Sequence, residues 1–137
     1  MPHCYDWPRP AVTTDIVVLR GGEILLIRRA HAPFEGCWAL PGGFLDEDET
    51  LEVCAARELM EETGVAADTL RLVGTYSEPK RDPRHRTVTV AFLTRVATGT
   101  EASAGDDAAE ASWFNLGALP PLAFDHADII RDALKLA

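Results

Sequence analysis

Several things are scarce in this 137-residue sequence. Three cysteines, Cys4, Cys37 and Cys54, form an odd set with no CxxC pair, so neither a disulfide framework nor a cysteine zinc site is written here, and a reducing compartment is expected. No apolar run approaches the roughly 18 residues of a membrane span, and the first ten residues lack the basic-then-apolar order of a secretory leader. A cytoplasmic protein without a membrane partner is the expectation. Basic residues are also short: 13 against 22 acids leave a net charge of −9, which disfavours nucleic-acid backbones and anionic lipid as partners. No His pair has zinc spacing, and neither a P-loop nor a GxGxxG stretch is present. There is no internal repeat and no long linker, and the length suits one domain over residues 1–137 with a real core.

What is present is a pattern of alternating element types. Val12–Leu19 and Glu23–Ile27 are β-rich runs joined by Arg20-Gly21-Gly22, which predicts a two-stranded antiparallel hairpin. A short apolar piece, Cys37–Leu40, leads into Pro41-Gly42-Gly43, expected to break regular structure and to allow close backbone approach. Glu49 to Thr63 predicts a helix with acids in its first turn and Gly64 as its left-handed cap. Arg71–Tyr76, Thr87–Val96 and Ala111–Leu116 read as further strands, and Asp125–Leu136 repeats its apolar residues at helical spacing. This order predicts an α/β fold, a mixed sheet with helices packed on it.

Residues 43–65 hold eight acids against one base. Glu58, Glu61 and Glu62, at i, i+3 and i+4, share one helix face. Like charges at such spacings cost only about 0.2–0.5 kcal/mol per pair in water, so a solvated acidic face explains the trio as well as a ligand site does. The surrounding residues change that balance. Gly43, Glu49, Arg57, Glu58, Leu59, Glu61, Glu62, Gly64 and Val65 spell G-x5-E-x7-R-E-U-x-E-E-x-G-U, where U is apolar. From average residue frequencies, chance produces this on the order of 10⁻⁷ times in a chain of this length.

The pattern resembles the complete signature of the Nudix hydrolases, which cleave nucleoside diphosphates linked to another group. The resemblance implies a Nudix-type α/β/α sandwich, a central mixed β-sheet flanked by helices. It implies that Glu58, Glu61 and Glu62 bind Mg²⁺ or Mn²⁺, with a carbonyl from Gly42 and with Glu58 also a candidate base. Hard cations and carboxylate oxygens suit one another, and an acidic protein meeting an acidic substrate needs such cations. Arg57 and Glu49 would brace the helix against the preceding loop, and Gly43 and Gly64 would serve backbone geometry.

Outside the signature, Trp7–Val12, Trp38–Phe44, Ser77–Arg84, Gly105–Trp113 and Phe124–Ile130 are similar to the ADP-ribose pyrophosphatase branch. That implies hydrolysis of ADP-ribose to AMP and ribose 5-phosphate. The alternatives are a pyrophosphohydrolase that clears 8-oxo-dGTP from the nucleotide pool, and a non-catalytic ADP-ribose sensor of the kind joined to a winged helix, for which 137 residues leave no room. A homodimer is expected, because the resemblance implies a family in which dimers are common and an all-but-complete active site would borrow base-stacking groups from a neighbour.

Further site residues stay open between two readings each. Lys80, Arg81, Arg84 and Arg86 form the densest basic cluster, either a phosphate grip or a solvated loop. Of Arg28 and Arg29, alternation turns one away and lets the other reach a phosphate, and Arg28 is taken as the substrate residue. Trp7, or Tyr5, is a ring for stacking on adenine or for packing on the core or on a dimer partner. Among Asp106, Asp107 and Glu110, one acid would orient the attacking water, Glu110 being taken as catalytic and Asp107 as substrate-binding, with a plain turn as the alternative. His126 contacts phosphate or the catalytic water, or is a capping or core residue.

Overall fold

The structure is a computed structural model that describes residue 4, residues 6–105 and residues 108–137. In chain order these form β1 (Ala11–Arg20), β2 (Glu23–Arg29), β3 (Trp38–Ala39), β4 (Gly42–Phe44), α1 (Leu51–Thr63), β5 (Arg71–Tyr76), β6 (Thr87–Arg95), β7 (Ala108–Asn115) and α2 (His126–Leu136). The strands make one mixed sheet of order β3-β2-β1-β6-β5, with β4 also paired to β1 and β7 to β2.

Alternation along the central strands builds two cores, one on each face of the sheet. Ile16 and Val18 of β1, with Leu25, Val90 and Phe92, meet Ala55 and Leu59 of α1. Val17 and Leu19, with Ile24, Leu26 and Leu93, meet Ile129, Ile130 and Ala133 of α2. The result is the expected α/β/α sandwich.

The hairpin reading needs correcting beyond its tip. Gly21 turns the chain at φ 59°, but β1 and β2 pair only at Leu19↔Ile24 and Arg20↔Glu23. Past those pairs β1 runs parallel to β6 from Ala11↔Thr87 to Leu19↔Arg95, and β2 runs antiparallel to β7 from Glu23↔Asn115 to Arg29↔Ala108. The diverging strands leave room for β4, which pairs with β1 at Thr13↔Phe44, Thr14↔Gly43 and Asp15↔Gly42. Pro41-Gly42-Gly43 therefore leads into a strand instead of breaking the structure. Pro41 stands just before β4, where its missing N–H takes nothing from the ladder, and its carbonyl accepts from Ile16 N at 2.9 Å.

Helix α1 starts two residues later than expected because Glu49 is used elsewhere. Thr50 is the N-cap, its hydroxyl accepting from Val53 N, and Gly64 closes the other end at φ 72° with its N–H on Met60 O. Helix α2 follows the N-cap residue Asp125, whose carboxylate makes no cap bond.

Candidate active site

Strand alternation in β4 brings α1 to the site. Thr14 and Gly43 are ladder partners, so Gly42 turns its N–H the other way, where it donates to Glu62 Oε1 at 2.7 Å. The same alternation turns the Gly42 carbonyl off the β1 ladder. A Cβ on Gly43 would run into the Glu58 carboxyl group, 2.5 Å from Oε1 and 2.6 Å from Oε2. Glycine at 43 thus lets this carboxylate lie directly on the β4 backbone, and any side chain there would displace it.

Arg57 ties the assembly together. Its Nε and Nη2 donate to the two oxygens of Glu49 at 2.9 and 2.6 Å, and Nη2 also donates to Phe44 O at 3.2 Å. Its Nη1 donates to Glu58 Oε1 at 2.9 Å and to Glu61 Oε2 at 3.2 Å. Hydrogen bonding to Arg57 holds the Glu49 carboxyl at about 2. Burial pushes the Glu58 carboxyl up, against the opposing pull of Arg57. Glu61 is the open member of the trio, its side chain 59% exposed.

Among the described residues, no three His, Cys, Asp or Glu side chains converge tightly enough to hold a metal ion. The physical reason is that Arg57 bridges Glu58 and Glu61 while Glu62 faces a backbone N–H. The donor set nonetheless fits a hard divalent cation: carboxylates on one helix face beside glycine backbone, with Glu61 free to turn.

Glu62 also lines a cleft beside this face. The cleft carries the guanidiniums of Arg29, Arg81 and Arg84, the carboxylates of Asp15 and Asp82, the rings of Phe44 and Phe124, and His126. Arg81 is 4% exposed and grips Asp125 with two bonds, Nε to Oδ2 at 2.9 Å and Nη2 to Oδ1 at 2.6 Å, which is why Asp125 does not cap α2. Arg84 binds Asp82 at 2.8 Å and lies 5.9 Å from the centroids of both Phe44 and Phe124. Burial raises the Asp82 carboxyl, but the Arg84 bonds outweigh it and hold the group at about 2. Arg29 donates to Pro33 O at 2.7 Å and lies 5.0 Å from the Phe124 ring centre. Among the described residues, no carboxylate lies within ion-pair distance of Arg29.

Other sequence-derived candidates lie elsewhere. Arg28 is outside the cleft, because Ile27 and Arg29 share the face that lines it, and Arg28 instead pairs with Glu110, its β7 neighbour, at 3.2 Å. Glu110 is accordingly committed to β2 and is not a cleft residue. Trp7 is 76% exposed and lines no part of the cleft, and neither do Lys80 and Arg86. Tyr5, Asp106 and Asp107 lie outside the described residues.

Sequence reasoning did not name Asp15, Asp82, Phe44 or Phe124 as site residues. Phe44, Asp82 and Phe124 fall inside the segments Trp38–Phe44, Ser77–Arg84 and Phe124–Ile130 that carried the resemblance, and Asp15 left a signal of its own, a charge inside the apolar run VTTDIVVL. His126 is buried, its Nδ1 accepting from Leu40 N at 3.0 Å, and burial pushes the imidazole down so that it stays neutral.

Comparison with known proteins adds to this geometry. The family described as NUDIX domain matches residues 9–133. An ADP-ribose pyrophosphatase of Methanocaldococcus jannaschii is 48% identical over 126 residues, 92% of this chain and 74% of that protein. The ADPR responsive transcriptional repressor NtrR of Acinetobacter baylyi is 36% identical over 136 residues, 93% of this chain and 54% of the repressor. Among solved structures, the NUDIX domain of Shewanella oneidensis NrtR complexed with ADP ribose superposes with a TM-score of 0.90 at 31% identity, covering 96% of this chain and 93% of that domain.

Proposed function

The chain belongs to the Nudix hydrolases, and from that premise we propose that it hydrolyses ADP-ribose to AMP and ribose 5-phosphate in a metal-dependent reaction. The observation that carries this reading is the double membership of Glu62, which stands on the acidic face of α1 and also lines the arginine-bearing cleft. Glu58, Glu61 and Glu62, with the Gly42 carbonyl, would hold Mg²⁺ or Mn²⁺. Bound there, the ion supplies charge neutralisation at the phosphates and acidifies water.

The chain's own groups supply the rest. Arg29, which among the described residues has no carboxylate within ion-pair distance, donates to a non-bridging phosphate oxygen. Glu58, raised by burial, is suited to take the proton of the attacking water. The water oxygen bonds to phosphorus, the bridging P–O bond breaks, and the released phosphate oxygen carries the displaced negative charge. The rings of Phe44 and Phe124 line the same cleft as apolar surface. The proposal includes a homodimer, supported by the exposed Trp7 ring, which stands free for a second copy; sedimentation checks it.

The test is incubation with Mg²⁺ and ADP-ribose, NADH, ADP-glucose and 8-oxo-dGTP in parallel, with the products resolved. AMP and ribose 5-phosphate should dominate. Preferred cleavage of 8-oxo-dGTP would replace this reading with nucleotide-pool cleaning, and tight ADP-ribose binding without cleavage would replace it with a sensor.

A further inference from the structure

Asp15 is a charged side chain in the buried stretch 14–19 of β1, where an uncompensated carboxylate is costly. It is 7% exposed and lines the cleft. One oxygen is well used: Oδ2 accepts from the Thr89 hydroxyl at 2.6 Å. The other is not. Because His126 Nδ1 accepts from Leu40 N, the neutral ring carries its proton on Nε2, and that atom stands 3.4 Å from Asp15 Oδ1, longer than a well-made hydrogen bond. A carboxylate oxygen has two acceptor sites, so Oδ1 retains capacity.

The neighbouring strand brings glycine backbone beside this oxygen. A Cβ on Gly42 would run into the Thr14 carbonyl oxygen and come within 2.8 Å of Asp15 Oδ1, so only glycine lets β4 lie this close to β1 here, and Gly42 and Asp15 both line the cleft. The charge balance of the cleft points the same way. Arg29, Arg81 and Arg84 face Asp15, Glu62 and Asp82, three cations against three anions, and two of the cations are already paired with Asp125 and Asp82. Among the described residues, such a cleft has no surplus positive side-chain charge for a chain of phosphates. Among the same residues it has one guanidinium outside any ion pair, that of Arg29, for a phosphate, and one carboxylate oxygen with acceptor capacity left, Asp15 Oδ1, for a hydroxyl.

We propose that Asp15 is the specificity-determining residue of this site, accepting a hydrogen bond from a hydroxyl of the sugar that caps the diphosphate and repelling a substrate that ends in a free phosphate. This rests on the ADP-ribose reading above and extends it from reaction to selectivity. Asp15 selects by a favourable bond to one substrate class and by like-charge repulsion of the other.

The experiment compares kcat/KM for ADP-ribose and for 8-oxo-dGTP in the full chain and in Asp15→Asn, with Mg²⁺. The wild type should prefer ADP-ribose. In Asp15→Asn the preference should fall about tenfold or more, the scale of a hydrogen bond to a charged group, mainly through KM for ADP-ribose. Thr89→Val serves as the comparison, because it removes the buried bond and keeps the charge. It should lower the melting temperature and leave the substrate ratio near that of the wild type.

A purely structural Asp15 would make both variants lose both substrates in proportion, and that outcome overturns the inference while leaving the ADP-ribose reading intact. A wild type that prefers 8-oxo-dGTP overturns both. If Asp15→Asn does not fold, calorimetry on the wild type with chelator present decides the matter. ADP should bind at least about tenfold more weakly than ADP-ribose, and equal affinity would sink the proposal.

Discussion

At the scale of single residues, the site separates groups that hold the structure from groups left available to a ligand. Glu62→Gln keeps an oxygen for the Gly42 N–H and removes the charge, so kcat should drop by orders of magnitude while the melting temperature stays within a few degrees. Unchanged turnover with Mg²⁺ would refute the assignment. His126 gives a pH signature. Burial lowers its folded pKa below the ordinary value near 6.5, so the unfolded chain takes up a proton that the folded one refuses. Stability should hold above about pH 6.5 and fall as the pH drops below it. Asp82, held at about 2, adds a loss in a lower window, from about pH 4 downward. Urea midpoints across pH 7.5 to 5.5 should fall in the wild type and flatten in His126→Gln.

At the scale of elements, β4 and α1 act as one unit. Gly43→Ala would push a methyl into the Glu58 carboxyl, so activity should fall far more than stability, read as kcat against melting temperature. Leu59 is fully buried under the sheet, and Leu59→Ala should cost about 2–5 kcal/mol in denaturant unfolding. Helix α1 and the residues around it were legible in the sequence because the signature is contiguous, its glutamates and its Arg57–Glu49 spacing falling within one helix and the turn before it. Strand β4 was not, because a Pro-Gly-Gly run reads as a break until β1 pairs with it. The cleft was far less legible. Asp15, Arg29, Arg81, Asp82 and Phe124 meet only through strand pairing and the docking of α2, and local spacing carries no record of that. Arg28 and Arg29 illustrate the limit, since alternation alone leaves two faces open and only the pairing with β7 decides between them.

At the scale of the molecule, the proposed reaction asks a chain of net charge −9 to meet an acidic substrate, which calls for cations from outside. Chelation should abolish turnover and Mg²⁺ should restore it. The far-UV circular dichroism should stay constant throughout, because both cores are built of apolar side chains and require no ion. The parallel pairing of β1 with β6 has a consequence for how the chain is made. Ala11 and Thr87 are partners, so the innermost strand leaves the ribosome long before its longest neighbour exists. Closing so distant a contact is slow. Until β6 arrives, the Ile16–Leu19 stretch stands as an apolar edge awaiting its complement, the part of a nascent chain that a chaperone would be expected to shield.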